Sequence, residues 1–473
     1  MSQLPFDCLN EIFEYLEDDR DTLFSCLLVN RFWCKVSVRI FWRNIPNINT
    51  LINCLPNESK QNLYRSKVII STLTSKLPIF NYATFCKVLS FNQVYDKLES
   101  ILKLQFFKNN QYFLKNLINI VAQELFKMLM NKIPSLKKLV FLQFSNIHFT
   151  FCSEAKDCLK NLSELRCNSN VYPSFFYELS QICHNIQFFH IEFYFFETNI
   201  PNKLEELISV QENLKYLSIR YGRDEVLNRI IPLLKKPKNL TKLRLYGIRH
   251  YVSLSFITKF TNLTNLQELE LSFNYDEDFV DFEKLQYVIF PRLRIFKIQR
   301  ACSFLIKFLE NNGNNLQEFC VSDNNNSLNL TIAKFCPNIR KLFTGFKNIE
   351  LDTIKIVLNS LQYLESIKVW CGGEFLNEKE ALEAFVKYSH KNTYEIILCH
   401  QYYTRSELPS KDLESFFVSW TNRELQKSLS LIIIKYDASS LDTDVENMEI
   451  IKKYIRLGVI KKFEVKAYDD EFV

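Results

Sequence analysis

Glycine is scarce: it supplies only 7 of 473 residues, where about 7% of residues is ordinary. No two of the seven are spaced to give G-x-G-x-x-G or G-x-x-x-x-G-K-[ST]. Dinucleotide fingerprints and phosphate loops need glycine so that backbone can approach a pyrophosphate, so those enzyme classes are not expected. The 14 cysteines contain no C-x-x-C pair, and the six histidines are scattered. No zinc-ligand spacing therefore appears, and no metal or cofactor is expected. No apolar run approaches the roughly 18 residues that a membrane helix needs. The string MSQLPFDCLNEIF has no basic segment followed by an apolar one, so no secretory leader is expected. An intracellular chain with reduced thiols, cytoplasmic and/or nuclear and without a membrane partner, is the expectation. Excess charge is also lacking. The net +6 arises from 59 basic and 53 acidic side chains, too weak a balance to point to nucleic acid.

What the chain does have is apolar side chains in order. They make up 47% of the residues, and phenylalanine alone supplies 42. In LPFDCLNEIFEYLEDD, Leu9, Ile12, Phe13 and Leu16 fall at i, i+3, i+4 and i+7, one stripe of an amphipathic helix. Pro5 suits the start of that helix, and Asp7 and Glu11 favour its positive end. Asp21 or Thr22 can cap a second helix carrying Leu23, Cys26 and Leu27 on one face, and Asn30 breaks it. A third follows with Phe32, Trp33, Val36, Ile40 and Phe41, ending near Trp42 and Pro46. Three helices this short bury little alone, so part of their apolar surface is expected to dock elsewhere.

The strings LPxDCLxEIFxYL and LxSCLLVNRxW, with a tryptophan nine residues after Trp33, resemble an F-box. The resemblance runs without a gap over about forty residues. It implies binding to the Skp-type adaptor of SCF ubiquitin ligases, with Leu4, Pro5, Leu9, Ile12, Phe13, Leu16 and Trp33, and also Leu28 and Val29, as the adaptor-binding side chains. An apolar helix stripe laid into a groove is a known recognition mode.

Most of the remainder repeats. A six-residue unit, L-x-x-L-x-L, usually preceded by Asn, starts at Leu136, Leu162, Ile186, Leu214, Leu240, Leu266, Leu293, Leu316, Ile339 and Leu364, at spacings of 23 to 28 residues. That period falls in the roughly 20–29-residue window of leucine-rich repeats. Weaker copies start at Thr393, Leu429 and Ile460, and a further strand is expected near Phe85 to Phe91. The L-x-L alternation sends one set of side chains inward and the other outward, and neighbouring units must stack to bury the inward set. The segments between copies are long enough for helices, as in Phe256 to Asn265. Asparagines eight positions after the first leucine, Asn170, Asn274 and Asn324, are expected to bond backbone between turns. Val121, Ala122, Leu125, Phe126, Leu129 and Met130 make a helical stripe in the connecting segment.

No motif assembles a nucleophile, a base and an orienting group, so no catalytic residue is assigned. Cysteines at strand positions, such as Cys167 and Cys320, read as small apolar fillers. The outward strand positions are the candidate binding surface. Tyr216, Arg220, Lys242, Arg244 and Tyr246 form a local basic and aromatic group suited to an acidic or phosphorylated element of a protein substrate. Glu268 and Glu270 follow at once in the next copy and can neutralise it. Phe343 and Trp370 are the alternative substrate-binding positions.

The expected fold is α/β: an N-terminal three-helix F-box over 1–46, a helical connecting segment with irregular first repeats over 47–131, and a leucine-rich-repeat solenoid over 132–473. The solenoid is a horseshoe with a parallel sheet on its concave face. The resemblance implies a non-catalytic substrate-recognition subunit of an SCF-type cullin-RING ubiquitin ligase, joined through its adaptor to cullin, a RING subunit and a ubiquitin-conjugating enzyme. The alternative is an adaptor-bound scaffold without ubiquitin transfer.

Overall fold

The computed structural model describes residues 4–66, 68, 78–105, 111–142, 155–172, 174–193, 203–220, 224–234, 236–248, 255–273, 283–323, 325–400, 404, 408–423, 427–435 and 440–467. The chain divides into two compact units, residues 1–219 with 233–236, and residues 220–232 with 237–473.

The first unit opens with three short helices, α1 (Phe6–Glu14), α2 (Arg20–Val29) and α3 (Arg31–Phe41). Pro5 starts α1, where its missing N–H costs nothing. The cap of α2 is Asp19, whose carboxylate accepts from the Thr22 amide at 3.0 Å, rather than Asp21 or Thr22. Asn30 ends α2 and caps α3, its side-chain oxygen accepting from the Phe32 and Trp33 amides at 2.9 Å each. One residue thus sets the sharp corner between the two helices.

Helices α4 (Ile48–Asn53) and α5 (Asn57–Arg65), a 3-10 turn (Tyr82–Phe85), α6 (Phe91–Gln105) and the long α7 (Gln111–Lys132) follow. The stripe from Val121 to Met130 is buried. The Arg43 carbonyl accepts from the amides of Lys87 and Val88 at 2.9 and 3.0 Å, and Asn44 bridges Val88 in parallel. Trp42 lies 4.2 Å from Tyr82 between ring centres, and the Lys97 ammonium donates to the Ile45 carbonyl at 2.6 Å. The end of the three-helix segment is therefore tied directly to the strand edge where the repeats begin.

Five parallel strands follow one another in chain order: β1 (Val88–Ser90), β2 (Lys138–Phe141), β3 (Glu164–Asn168), β4 (Phe188–Glu192) and β5 (Tyr216–Arg220). They are interspersed with α8 (Ala155–Leu159), α9 (Phe175–Ile182) and α10 (Leu204–Ser209). The fourth and sixth residues of each copy, such as Leu139 and Phe141 or Phe189 and Ile191, are no more than 3% exposed. Burying each such side chain stabilises by about 1.5–3 kcal/mol.

The second unit carries nine parallel strands among its described residues: β6 (Lys242–Ile248), β7 (Glu268–Phe273), β8 (Ile295–Ile298), β9 (Glu318–Val321), β10 (Lys341–Thr344), β11 (Ser366–Cys371), β12 (Glu395–His400), β13 (Leu429–Lys435) and β14 (Ile460–Ala467). Its helices are α11 (Asp224–Ile230), α12 (Phe304–Asn312), α13 (Asn326–Phe335), α14 (Leu351–Ser360), α15 (Glu378–Tyr388), α16 (Ser410–Thr421) and α17 (Val445–Arg456). Between β6 and β7 the connection is a 3-10 segment, Ser255–Asn262, rather than an α-helix. From β6 to β12 the third residue of every copy lies opposite the third residue of the next, Lys242 against Glu268 through Ser366 against Glu395. Strand after helix after strand, in constant register, is the architecture of a leucine-rich-repeat solenoid. The copy read from Leu429 is displaced by one residue. Ser430 pairs with Glu395 and Leu431 with Ile396, so Leu431 and Ile433 take the inward places. A one-residue slip exchanges the two faces of a strand.

Amides link one repeat to the next. The asparagine immediately before the first leucine donates from its side chain to a carbonyl in the preceding repeat: Asn265 to Lys238 at 2.7 Å, Asn338 to Asn314 at 2.8 Å, and Asn392 to Gln362 at 2.9 Å. In contrast, Asn170 is exposed, and it is Asn168 that donates between turns, to the Leu142 carbonyl at 3.3 Å. Asn274 and Asn324 lie outside the described residues. Deeper in the stack, the buried Asn312 side chain accepts from the Phe290 amide at 2.7 Å and donates to the carbonyls of Val288 and Phe308 at 2.9 and 3.1 Å. Gln211 does the same in the first unit, for the Ile186 amide and the Cys183 and Leu207 carbonyls. Asn312→Ala leaves these backbone groups dry and unpaired, and a loss of about 2 kcal/mol is expected. Denaturant unfolding of the full chain measures it.

Candidate functional site

The structure divides the side chains implied as adaptor contacts. Leu9 and Phe13 are 2% and 1% exposed and form the core of the three-helix segment with Leu23, Cys26, Val36 and Ile40. Both belong to the interior and not to a contact surface. The reason is geometric: α1 packs across α3, so the middle of its stripe is covered by the protein's own helices. Leu16 and Trp33 are half-buried against the same core, and the Trp33 ring meets Phe13 edge-on at 5.2 Å. Pro5 is exposed, as are Leu4, Ile12 (48%), Val29 and Leu28 (74%).

Two exposed side chains join this surface without having been singled out in the sequence, Tyr15 and Phe24. Phe24 stands one helical turn before Leu28, so the two share a face of α2. That i, i+4 pair was the signal available in the sequence. Six large apolar groups exposed on so small a segment is the pattern of a docking surface. Beside it, Arg43 clamps the first helix. Its guanidinium donates to Glu14 at 2.6 and 2.5 Å and to Glu17 at 2.8 Å, and hydrogen bonding to Glu14 raises its pKa further.

The seven candidate substrate-binding side chains divide between the two units. Tyr216 belongs to the first unit and meets Phe188 edge-on at 6.4 Å. In the second unit, the Arg220 guanidinium lies 5.7 Å from the centre of the Tyr246 ring, a cation–π contact. Lys242 and Arg244 are not a free basic patch. Lys242 pairs with Glu268 at 2.5 Å. Arg244 forms an ion pair with Glu270, including a hydrogen bond at 3.0 Å, and lies 3.5 Å from Glu268. Lys297 in turn faces Glu270 at 3.6 Å and Glu318 at 2.8 Å.

The cause is the register, which sets the basic third and fifth positions of the copy in β6 against the acidic ones of the copy in β7. Glu270 is 1% exposed. Burial raises its carboxyl pKa, against the pull of Arg244 and Lys297. For Lys297, burial lowers the pKa, but the Glu318 hydrogen bond and the Glu318 and Glu270 charges outweigh it and the net shift is upward. This face is an internally compensated charge ladder.

Phe343 and Trp370 are not open binding positions either. Both are buried, in an apolar cluster with Cys320, Phe375 and Cys399 on the outward side of the sheet. The chain leaving β11 turns back through Gly372 and Gly373, both at positive φ, and lays Phe375 over Trp370 at 6.2 Å. The indole N–H donates to the Ser322 carbonyl at 2.9 Å. Lys368 places its ammonium 4.1 Å from the Phe343 ring centre. Burial pushes the Cys320 and Cys399 thiols up to about 12, which keeps them protonated near neutral pH and poor nucleophiles. Among the described residues, no group of three or more His, Cys, Asp or Glu side chains is placed to hold a metal ion, and no helix is long and apolar enough to cross a membrane.

Comparison with known proteins gives a family match at the N-terminus, where the F-box-like model matches residues 1–46. No curated protein sequence matches the chain. Among solved structures, the chain is similar to the leucine-rich repeat-containing protein LegL7 from Legionella pneumophila, at 12% identity and a TM-score of 0.33, over 70% of this chain and 93% of that one. It is also similar to a chain in the crystal structure of the Rad7 and Elc1 complex in yeast, at 11% identity and a TM-score of 0.35, over 93% and 94%. The chain thus carries an F-box-like domain at residues 1–46, followed by parallel strand and helix repeats of the leucine-rich type.

Proposed function

We propose that this chain is the substrate-recognition subunit of an SCF-type cullin-RING ubiquitin ligase. In this reading the F-box-like domain binds a Skp-type adaptor, and through it cullin, a RING subunit and a charged ubiquitin-conjugating enzyme. The repeats hold a protein substrate. The chain acts in the cytoplasm, the nucleus or both, and performs no covalent chemistry of its own. Its contribution is to raise the local concentration of a substrate lysine near the thioester.

The observation that carries this reading is the F-box-like match over residues 1–46 together with the apolar side chains that the same segment leaves exposed. The backbone ties between Arg43 and β1 support it as well, because they join the F-box-like segment directly to the first repeat. The test is reconstitution. The purified full chain is combined with adaptor, cullin, RING subunit, activating and conjugating enzymes and ubiquitin, and proteins captured from a lysate are assayed for ubiquitin conjugates. Conjugates that vanish when the chain is omitted support the reading. A stable adaptor complex that recruits no cullin and yields no conjugates identifies an adaptor-bound scaffold instead.

A further inference from the structure

One basic group in the second unit escapes the charge ladder. It lies at the edge of the sheet where the strands begin, and it lines a groove of about 490 Å³. Arg292, Arg294 and Arg340 border this groove together with Gln267, Gln317 and Tyr363. Among the described residues, no carboxylate lines it. The nearby acidic side chains are already engaged: Glu268 with Lys242, Glu318 with Lys297, and Glu365 with Arg340 at 3.0 Å. Among the described residues, neither the Arg292 nor the Arg294 guanidinium meets a hydrogen-bond or ion-pair partner, although the Arg294 backbone is paired with both neighbouring repeats.

Arg292 also interrupts a structural column. It stands immediately before the first leucine of its repeat, the position from which Asn265 and Asn338 donate to the preceding turn. At this step the inter-repeat amide is replaced by a longer, permanently charged side chain, and before Leu364 the same position is taken by Tyr363. Arg294 follows two residues later, at the second position of the same copy.

We propose that this groove binds an oxyanion, a phosphate or a cluster of carboxylates, carried on an extended segment of a partner protein. Guanidinium groups bind such anions bidentately, and the glutamine amides add neutral donors beside them. The groove runs from Gln267, before β7, to Tyr363, before β11. At about 4.8 Å per strand this is roughly 19 Å, the span of about six extended residues. Nucleic acid fits less well, because stacking platforms for successive bases are needed and, among the described residues, Tyr363 is the only aromatic side chain lining the groove. The inference deepens the proposed function by giving the chemistry of the segment that the repeats hold. Its test needs no adaptor, so the two readings fail separately.

The test measures fluorescence anisotropy of the full chain with labelled degenerate decapeptides. One pool carries a central phosphoserine, a second three central glutamates, and a third a central serine. Binding of the first or second pool, but not the third, is expected, and the tighter of the two identifies the oxyanion. The variant Arg292→Gln/Arg294→Gln is expected to weaken that binding about tenfold or more. Lys307→Gln, on α12, is expected to leave it unchanged. Equal affinity in all three chains, equal loss in both variants, or no binding of either anionic pool overturns the proposal. So does binding of a uridine 20-mer, with the same arginine dependence, in place of the peptides.

Discussion

The double variant Ile12→Lys/Leu28→Lys is expected to melt like the unaltered chain and to lose capture of a Skp-type adaptor. Ile12 and Leu28 are 48% and 74% exposed, so their replacement removes little internal packing. Lysine is a good helix former, and near a helix C-terminus its charge is favourable. In a complex, each apolar side chain would bury against the partner for about 2 kcal/mol. A lysine there must instead give up its hydration without a counter-charge. Losing two anchors in this way corresponds to at least about a hundredfold in affinity. Co-expression with tagged adaptor, followed by affinity capture, reads the result. Adaptor recovered at the unaltered yield would place the contact surface elsewhere.

Phe13→Ala behaves differently. Its ring is 1% exposed, sits against Trp33 at 5.2 Å, and shares its core with Leu9, Leu23, Cys26, Val36 and Ile40. Truncating a buried phenylalanine costs about 3–5 kcal/mol, from lost transfer energy and the cavity left behind. In a three-helix segment with one small core, that loss is expected to abolish the hydrogen-exchange protection of α1 to α3. Protection in β6 to β12 should remain, because these strands share no core residue with α1. Adaptor capture then falls as well, but for another reason, and excess adaptor should restore part of it by mass action. The surface variant should show no such rescue. Unchanged protection across α1 to α3 in Phe13→Ala would contradict this assignment of the core.

The contrast between Ile12 and Phe13 marks where sequence reading reaches its limit. Both sit on one apolar stripe, and periodicity identifies the stripe without saying which part is covered by α3. The repeats were more legible. Stacking at a constant period forces the fourth and sixth positions inward, and Leu243, Leu245, Leu269 and Leu271 are fully buried. Where the period stretched, the register slipped, and β13 presents Leu431 and Ile433 inward instead of Ile432 and Ile434.

The charge pairing on the sheet was legible in the sequence, since Glu268 and Glu270 hold the same positions in their copy as Lys242 and Arg244 in theirs. The burial of Trp370 could not, because it depends on the path taken after Gly372 and Gly373. The amides of Asn312 and Gln211 were hidden for a related reason. A polar side chain in an apolar run carries no sign of the backbone groups it will meet.

The most direct test of the account is hydrogen exchange of the purified full chain with and without a Skp-type adaptor. Added protection over residues 4–16 and 24–33, around Ile12, Leu28 and Trp33, is expected, with the strands from β6 to β12 unchanged. Protection confined to the repeats, or no change in the first 46 residues at saturating adaptor, would contradict it.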